Sequence, residues 1–445
     1  MTYQVPQHID KEKIFIINRS EIEGRLDPSV YKPHFKFVSK AFRNVKLSEI
    51  AWIDPSCMFK NIEEVSFIPM DAIDSSNGIV SYQGIKKVEE TKGFTRFKEG
   101  DILWAKITPC MQNAKSAIAK NLINGYGCGS TEFFVIRSKD ENVVLQEYLL
   151  FLLRDERILK AAMNYFGGSA GQQRVSPLFL KIFNVPLPGI EEQKSFCELL
   201  KQAQVLKQQH ELQAEDVLNS IDDYLLGELD IKLPETKSQT LQDRIFTVNI
   251  SEIRDGRMDP KSVLFLGEHA KSETYENAQL KQIATIVKGD SITSDNVNKD
   301  GQYPVIAGGQ TSPYNHDKYN FKSDVITVSA SGAYSGYLWY HDNPIFASDC
   351  SVIHSKNGQF LTKYVFEVLK AQQSFIYLLQ QGAGQPHVYP DDLGKLWIPV
   401  VPIAKQQEIV NHITAIRQQA KALQQEGIEV LEQAKQKVES MIMGN

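Results

Sequence analysis

The residue types that most often carry catalysis occur in this sequence without the spacing that catalysis needs. The nine histidines are scattered, with no His-Glu-x-x-His pair and no Cys/His cluster at zinc-ligand spacing. Neither a GxxxxGK[ST] phosphate loop nor a GxGxxG dinucleotide fingerprint is present. Pro390-Asp391 could begin a nuclease carboxylate cluster, but no Asp/Glu-x-Lys sequence directly follows it. The sequence therefore predicts a chain with no catalytic residues, no metal site and no cofactor of its own.

Basic side chains are concentrated in one stretch of the first half of the chain. Residues 81–121 hold eight Lys and Arg against four Asp and Glu, whereas the whole chain has a formal charge of −5. Phosphate contact requires such a basic surface, and neighbouring Thr, Asn and Gln side chains suit base edges. An ordinary solvated charged face is the alternative. The candidate DNA-contacting residues here are Lys86, Lys87, Lys92, Arg96, Lys98, Lys106, Thr108, Gln112, Asn113 and Lys115.

Polar aromatic side chains are concentrated in two loops of the second half. One group follows the Gly308-Gly309 turn, and the other follows the strand-like run 324–329. Tyrosines and amides on glycine-hinged loops suit adaptable polar recognition. A tyrosine-rich sheet edge is the alternative. The candidate DNA-contacting residues of these loops are Tyr314, Asn315, His316, Lys318, Tyr334 and Tyr337.

The elements that must position these loops are duplicated along the chain. The matching pairs of segments are 15–28 with 246–260, 135–139 with 352–356, and 171–193 with 384–406. The ends of the two copies are alike and their middles differ, which predicts one scaffold that carries two different binding surfaces. The turns that contain Gln172 and Gln385 are expected to be equivalent and to lie outside the core.

Each copy ends in a segment that predicts a long helix. Residues 191–228 contain no proline and one glycine, and apolar residues recur with 4,3 spacing both there and from Ile409 to Met441. Such a repeat, rich in Gln, Glu and Lys, is typical of a coiled coil, with helices about 55 Å long. Two separate helices, each packed on its own domain, are the alternative. The predicted interface residues are Phe196, Leu200, Ala203, Val217, Ile221, Ile409, Ile413, Ile416, Leu423 and Val430.

Between these landmarks the pattern predicts mixed α+β domains. Short β-branched or aromatic runs are bounded by Gly, Asn, Asp and Pro, and shorter helical segments lie around 146–163 and 361–380. We therefore predict two mixed α/β domains in tandem, each followed by a long helix, with the two helices pairing as a coiled coil. The predicted boundaries are 1–189 and 230–404 for the domains, and 190–229 and 405–442 for the helices.

The composition is that of an ordinary globular protein, with 42% hydrophobic and 23% charged residues over 445 positions. No apolar run approaches the ~18–20 residues that a transmembrane helix needs, and the first 13 residues lack the apolar stretch of a secretory signal. The five cysteines lie far apart without a CxxC pair. These features predict a cytoplasmic protein with free thiols and no membrane partner.

Several short motifs occur in a fixed order within the duplicated frame. They are Gly24-Arg-Leu-Asp-Pro28, Phe97-Lys-Glu-Gly-Asp-Ile102, Ala105-Lys-Ile-Thr-Pro-Cys110, Gly129-Ser-Thr-Glu-Phe133, Tyr303-Pro-Val-Ile306, Gly308-Gly309, Asn315-His-Asp-Lys-Tyr-Asn320, and the Pro/Gln lead-ins 186–193 and 399–406. In this order, over roughly residues 12–440, they resemble the specificity subunit of type I restriction-modification systems. One departure from the family is that residues 324–331 contain no basic side chain where phosphate contacts are expected.

The resemblance implies two target-recognition domains separated by an antiparallel pair of long helices. Each domain would read one half of a split, asymmetric site in double-stranded DNA. Two methyltransferase subunits, which carry S-adenosylmethionine, and restriction subunits would dock on a chain that is itself no enzyme. A structural adaptor, with two β-rich protein-binding domains on a coiled coil, is the alternative, and an apolar patch in place of a basic groove would favour it.

Overall fold

The computed structural model describes residues 16, 19, 38–168, 172–233, 247, 270–292, 297–298, 300–356, 358–382 and 384–444. Contacts divide the chain into two compact units, one made of residues 1–209 with 426–445 and the other of residues 210–425. Each unit has its own hydrophobic core. The duplicated motif at 15–28 and 246–260 lies outside the described residues, apart from isolated positions, and so does Gly171.

The first unit is built on two four-stranded sheets, in the orders β2-β11-β8-β9 and β6-β3-β10-β7. Neighbouring strands in these sheets are antiparallel except for the pair β3 and β10. Shorter pairs are β1-β14, β4-β5 and β12-β13. The strands are β1 (Arg43–Lys46), β2 (Ala51–Ile53), β3 (Glu64–Ile68), β4 (Ile73–Asp74), β5 (Ile79–Val80), β6 (Gly84–Lys87), β7 (Thr95–Lys98), β8 (Ile102–Ala105), β9 (Ser116–Ile118), β10 (Tyr126–Gly129), β11 (Phe133–Ser138), β12 (Phe166–Gly167), β13 (Arg174–Val175) and β14 (Asn184–Leu187).

Two glycines of β10 allow the core to pack closely on one face of its sheet. A Cβ atom at Gly127 would lie 2.2 Å from a ring carbon of Phe97, and one at Gly129 would lie 2.3 Å from the carbonyl oxygen of Ile68. A side chain at either position is therefore excluded, as expected where neighbouring groups approach a strand this closely. The opposite face of the same sheet remains available for other contacts.

Four short α-helices lie in the described part of the first unit, beside the long helix that follows them. Asp155 interrupts the helical segment predicted at 146–163, because its carboxylate accepts a hydrogen bond from Arg157 N at 2.8 Å and caps a new helix. Ser176 caps another, with Pro177 at its first position. The helices are α1 (Leu47–Ile50), α2 (Gln146–Leu153), α3 (Glu156–Met163) and α4 (Pro177–Ile182).

The second unit has a similar order of strands and helices, but its central sheet differs from that of the first unit. Its sheets have the orders β16-β22-β19-β20, β18-β17-β21 and β15-β23. The strands are β15 (Asn277–Gln279), β16 (Ala284–Lys288), β17 (Tyr303–Ile306), β18 (Asn315–His316), β19 (Val325–Ser329), β20 (Leu338–His341), β21 (Phe346–Ala347), β22 (Cys350–Ser355) and β23 (Trp397–Pro399). The short helices are α6 (Leu280–Ile283), α7 (Thr362–Ala371), α8 (Gln373–Ile376) and α9 (Pro390–Leu393).

The predicted duplication is visible in hydrogen bonds that the two units share. Each unit closes one turn with a Ser–Asn pair and fixes one strand end with a buried tyrosine hydroxyl. The bonds run from Ser39 N to Asn44 Oδ1 and from Ser272 N to Asn277 Oδ1 (both 2.9 Å), and from the hydroxyls of Tyr148 and Tyr364 to the carbonyls of Pro186 (3.0 Å) and Pro399 (2.9 Å). One scaffold therefore underlies both units.

Two long helices, α5 (Ile190–Glu228) and α10 (Ile403–Met443), each contribute to both units. In the second unit, the end of α5 packs on the start of α10: Glu228 pairs with Lys405, and the Tyr224 ring lies 4.1 Å from the His412 ring. In the first unit, Phe196, near the start of α5, shares a core cluster with the end of α10. The helices are therefore antiparallel, which confirms the predicted fold class. None of the described helices is long and apolar enough to cross a membrane.

The predicted interface residues of these helices face inward. Phe196, Ala203, Ile221, Ile409 and Ile413 are buried, Leu200 and Ile416 pack at the edges of the cores, and Val217, Leu423 and Val430 are half-buried. The prediction was wrong at the end of α10, where Met441 is 42% exposed and Val438 and Ile442 are fully buried. A straight helix drifts by about 20° per heptad from a 3.5-residue repeat, so a strict 4,3 pattern loses phase over its length.

Candidate nucleic-acid interface

One face of the sheet β6-β3-β10-β7 carries alternating cations and aromatic rings. The register pairs Cys128 with both Phe67 and Arg96 and pairs Lys86 with Val65, which puts Lys86, Phe67 and Arg96 on one face. The Lys86 Nζ atom lies 4.9 Å from the centre of the Phe67 ring, and the Arg96 guanidinium lies 4.7 Å from the centre of the Phe59 ring. We call this surface the basic-aromatic face.

The pKa of the Cys128 thiol reflects the charges on this face. Burial raises its pKa to about 11, while the charges of Lys86 and Arg96 oppose that shift. The two cations therefore act on the same point of the sheet. Together with the faces of the neighbouring rings, they form a surface that suits a phosphate chain and stacked groups.

A shallow cavity of about 330 Å³ adjoins the basic-aromatic face. Its two cations are Arg96 and Lys106, while the Asp54 carboxylate in its wall accepts a hydrogen bond from Val135 N at 2.9 Å. Its lining residues are Asp54, Pro55, Cys57, Phe94, Thr95, Arg96, Lys106, Phe133 and Val135. The cavity therefore has two cationic side chains at its wall and suits an anionic group.

Beyond the cavity, three loops of the first unit are tied together by main-chain hydrogen bonds. They run from Lys106 N to Glu132 O, from Thr108 N to Gln173 O and from Val175 N to Lys106 O, each at 2.9 Å. We call this junction the first loop frame. It fixes the loop after β8, which contains the predicted DNA-contacting residues Thr108, Gln112 and Asn113, against the turn that contains Gln172.

The second unit has the same junction at the equivalent positions. The bonds run from Ala330 N to Asp349 O at 3.1 Å, and from Gly332 N to Pro386 O and Val388 N to Ala330 O, each at 3.0 Å. We call it the second loop frame. The predicted equivalence of the two turns is thus realised in the main chain, and Gln172 and Gln385 are both exposed, as expected of residues outside the core.

The side chains on the two frames differ. In the first frame, Arg174 Nη2 donates to Glu132 Oε1 at 2.7 Å and Nε donates to Oε2 at 2.9 Å, and these bonds raise the pKa of Arg174. In the second frame, the His387 ring lies 6.1 Å from the ring of Tyr389, and the hydroxyl of Ser331 donates to Asp349. Sequence reasoning missed the arginine–glutamate pair, whose members are 42 positions apart.

The other predicted residues of the first unit fall into two groups. Lys87, Lys92, Lys98, Gln112 and Asn113 are exposed. Thr108 and Lys115 are half-buried and engaged: Thr108 Oγ1 accepts from Gln173 N at 3.2 Å, and Lys115 Nζ donates to the carbonyl of Met70 at 3.1 Å. The exposed group remains free to contact a ligand, whereas Thr108 and Lys115 also hold loops in place.

In the second unit the two tyrosine-bearing loops meet at Gly308. A Cβ atom there would lie 2.8 Å from the carbonyl oxygen of Ser331, so only glycine permits this approach. Tyr314, Lys318 and Tyr334 are exposed. The remaining predicted residues are half-buried: Asn315, His316, whose Nδ1 accepts from Lys318 N at 2.9 Å, and Tyr337, whose ring lies 4.3 Å from Lys370 Nζ. Within the described ranges, no three His, Cys, Asp or Glu side chains are placed to hold a metal ion.

Comparison with known protein families shows to which family this chain belongs. The model of the type I restriction modification DNA specificity domain matches residues 40–218 and 272–433. The chain belongs to this family. The first matched segment contains the first loop frame, and the second contains the second loop frame, so each DNA specificity domain carries one frame.

Individual relatives agree with the family. The type I restriction enzyme EcoAI specificity subunit of Escherichia coli is 36% identical over 203 residues, which cover 44% of this chain and 33% of that protein. The EcoEI specificity subunit of the same species is 37% identical over 201 residues, covering 45% and 32%. The chain thus matches about a third of the length of these relatives.

A solved structure shows the same fold at low sequence identity. It is a chain from work on complex assembly and conformational transition of the type I R-M system, with a TM-score of 0.56 and 16% identity over 92% of this chain and 98% of that one. A solved protein therefore shares this fold across nearly its whole length.

Proposed function

We propose that this chain reads a split, asymmetric site in double-stranded DNA, with each unit recognising one half. The observation that carries the proposal is the pair of loop frames, which have the same main-chain hydrogen bonds and different side chains. Because the two frames have the same main-chain hydrogen bonds, they hold the loops of the two units in the same way. The side chains on these loops differ between the units and would therefore read different bases. A palindromic target would require equal side chains.

The first unit supplies the charge that such binding needs. Its basic-aromatic face, its cavity with Arg96 and Lys106, and the exposed Lys87, Lys92 and Lys98 supply cations for phosphate contacts. The second unit offers exposed tyrosines and a histidine on its frame instead. Phosphate contacts position a protein on the duplex, whereas contacts with base edges specify the sequence. We therefore assign most of the salt-dependent affinity to the first unit.

The long helices would set the distance between the half-sites and dock two methyltransferase subunits, with restriction subunits joining the complex. Four apolar side chains of α5 support docking because they are between 38% and 55% exposed; they are Val205, Leu206, Leu212 and Leu218. Exposed apolar groups on a helix are typical of a surface that a partner covers. S-adenosylmethionine would bind to the methyltransferase, and this chain would contribute recognition without catalysis.

The proposal is tested by exchanging one reader at a time. Residues 60–125 would be replaced by the matching segment of a related protein, and the methylated sites of cells that express the complex would be sequenced. We expect one half of the recognised site to change and the other to stay. The matched control exchanges residues 301–337 and should alter only the other half. If either exchange changed both halves, or neither, the two-reader account would fail.

A further inference from the structure

We infer that Arg174, held by Glu132, reads a guanine in the half-site of the first unit. The inference rests on the proposed function and names one residue that determines its specificity. It begins from an arginine that is exposed and yet held by fixed contacts. The side chains of Arg174 and Glu132 are 43% and 22% exposed, so their contacts are accessible from solvent.

The hydrogen bonds of Arg174 leave two of its five guanidinium N–H groups, on the neighbouring nitrogens Nη1 and Nη2, without a protein acceptor. Nε and one N–H of Nη2 donate to Glu132, and one N–H of Nη1 donates to the carbonyl of Gln172 at 3.2 Å. A guanidinium has five N–H groups, so one on Nη1 and one on Nη2 remain. Two adjacent donors match the O6 and N7 acceptors of guanine, which is the commonest base-specific contact of arginine in the major groove.

The backbone around Arg174 is fixed before any DNA arrives. β13 pairs with β12, residue 174 forms a bridge with Ile107, and Val175 N donates to Lys106 O at 2.9 Å. Glu132 then fixes the side chain as well as the main chain. A group held in its binding conformation loses less conformational entropy on binding, which favours both affinity and discrimination.

Three other arginines of the first unit are engaged in ways that do not suit base reading. Arg137 pairs with Asp101, whose side chain is fully buried, and Arg154 donates to the carbonyls of Ala114, Ser116, Ser75 and Ser76. Arg96 lies over a ring and donates to Thr91 Oγ1 at 3.0 Å. The second frame has His387 at the position of Arg174. The arginine contact therefore belongs to one half-site alone.

The first experiment uses the wild-type complex with its methyltransferase and modified DNA. After the recognised site is known, each guanine of the first half-site is replaced in turn by 7-deazaguanine, which lacks the N7 acceptor. We expect one replacement to weaken binding by about 5- to 150-fold, the range of a bidentate arginine–guanine contact. Replacements in the second half-site are the control for general effects of the analogue. If no guanine of the first half-site were sensitive, or none were present, the inference would be overturned.

The second experiment tests whether Arg174 makes that contact. In an Arg174→Ala complex, the sensitive guanine should tolerate 7-deazaguanine without further loss, and a Glu132→Gln complex should discriminate less at the same position. Arg43→Ala removes another exposed arginine with a carboxylate 3.9 Å away and should leave both half-sites unchanged. Undiminished sensitivity in Arg174→Ala would refute the assignment. If the wild-type complex bound no specific sequence at all, the proposed function would fail instead. Insensitivity of every guanine in the first half-site would overturn the inference even if a variant does not assemble.

Discussion

At the scale of single residues, Gln193 and Gln406 fix the start of each long helix to the unit that precedes it. Both side chains are fully buried. In the first unit, Gln193 Oε1 accepts from Leu145 N, and Nε2 donates to the carbonyls of Val143 and Pro188, each at 2.9 Å. Gln406 makes the equivalent three bonds in the second unit. The amide thus joins three chain segments at each helix start.

We predict that Gln193→Ala lowers the free energy of unfolding by at least about 2 kcal/mol, because one buried N–H and two buried carbonyls lose their partner. Gln406→Ala should have the same effect in the second unit. Gln208→Ala, at an exposed position of α5, is the matched control and should change stability by less than about 0.5 kcal/mol. Chemical denaturation of the full chain measures all three. An unchanged midpoint for Gln193→Ala would contradict this role.

A half-buried histidine gives the second unit a defined pH dependence. Burial lowers the pKa of His341 to about 4 from 6.5, and its Nε2 lies 2.8 Å from the hydroxyl of Thr327, within hydrogen-bonding distance. The unfolded chain therefore binds a proton at a pH where the folded chain does not. The contribution is complete above pH 6.5 and is lost as the pH falls towards 4.

We predict that His341 accounts for about 2 kcal/mol of the stability lost between pH 7 and pH 5. His341→Gln should flatten the pH dependence over that interval, because glutamine can accept the Thr327 bond without titrating. Denaturation of both chains at several pH values provides the comparison. Parallel pH profiles for the wild type and the variant would show that His341 does not titrate in this way.

Candidate site residues could be predicted from the sequence only where they lie next to one another in the chain. Clusters such as Lys86 and Lys87 are visible in the printed sequence, and the structure places Lys86 on the basic-aromatic face and the neighbouring Lys87 on the opposite face of the strand. The pair of Arg174 and Glu132 could not be found, because strand pairing rather than periodicity brings the two together. The shared positions Gln193 and Gln406 were found, although their buried bonds depend on loops about 50 residues upstream.

At the scale of elements, the antiparallel pair α5 and α10 links the two units. The division between units falls after Gln209 in α5 and after Gln425 in α10, so each helix passes from one unit to the other near its middle. The 4,3 pattern predicted both helices and most of their inward-facing residues. Their antiparallel order could be inferred only from the family resemblance, because a whole domain separates them in sequence.

We predict that the length of this helix pair sets the gap between the half-sites. Four residues inserted after Gln209 and four after Gln425 would add about 6 Å of helix and rotate the downstream half of each helix by about 40°, while leaving the contacts within each unit intact. Sequencing of methylated sites should show both half-sites unchanged and a gap longer by one or two base pairs, since each pair rises about 3.4 Å.

Two controls make the insertion experiment decisive. The same four residues inserted after Asn142, in an exposed loop, should leave the gap unchanged. An insertion in α5 alone should shift the register of the pair and weaken assembly, because the buried residues of one helix would no longer meet those of the other. An unchanged gap in the paired variant, with the complex assembled and active, would show that something other than the helices measures the DNA.

At the scale of the whole molecule, the chain consists of two units built on one plan and carrying two different candidate recognition surfaces. The shared Ser–Asn turns, tyrosine hydroxyl bonds and loop frames preserve the plan. The middles differ: four strands form the sheet with the basic-aromatic face in one unit, and three form its counterpart in the other. A duplicated scaffold with unequal readers predicts a target with two unequal halves.

The most direct test is to sequence the methylated sites of cells that express this chain with the methyltransferase subunit proposed as its partner. Our account predicts one motif made of two specified blocks that differ from each other and are separated by a gap of fixed length and free sequence. The purified chain alone, given S-adenosylmethionine, should methylate nothing. A continuous or palindromic motif, or an identical motif when this chain is left out, would contradict the account.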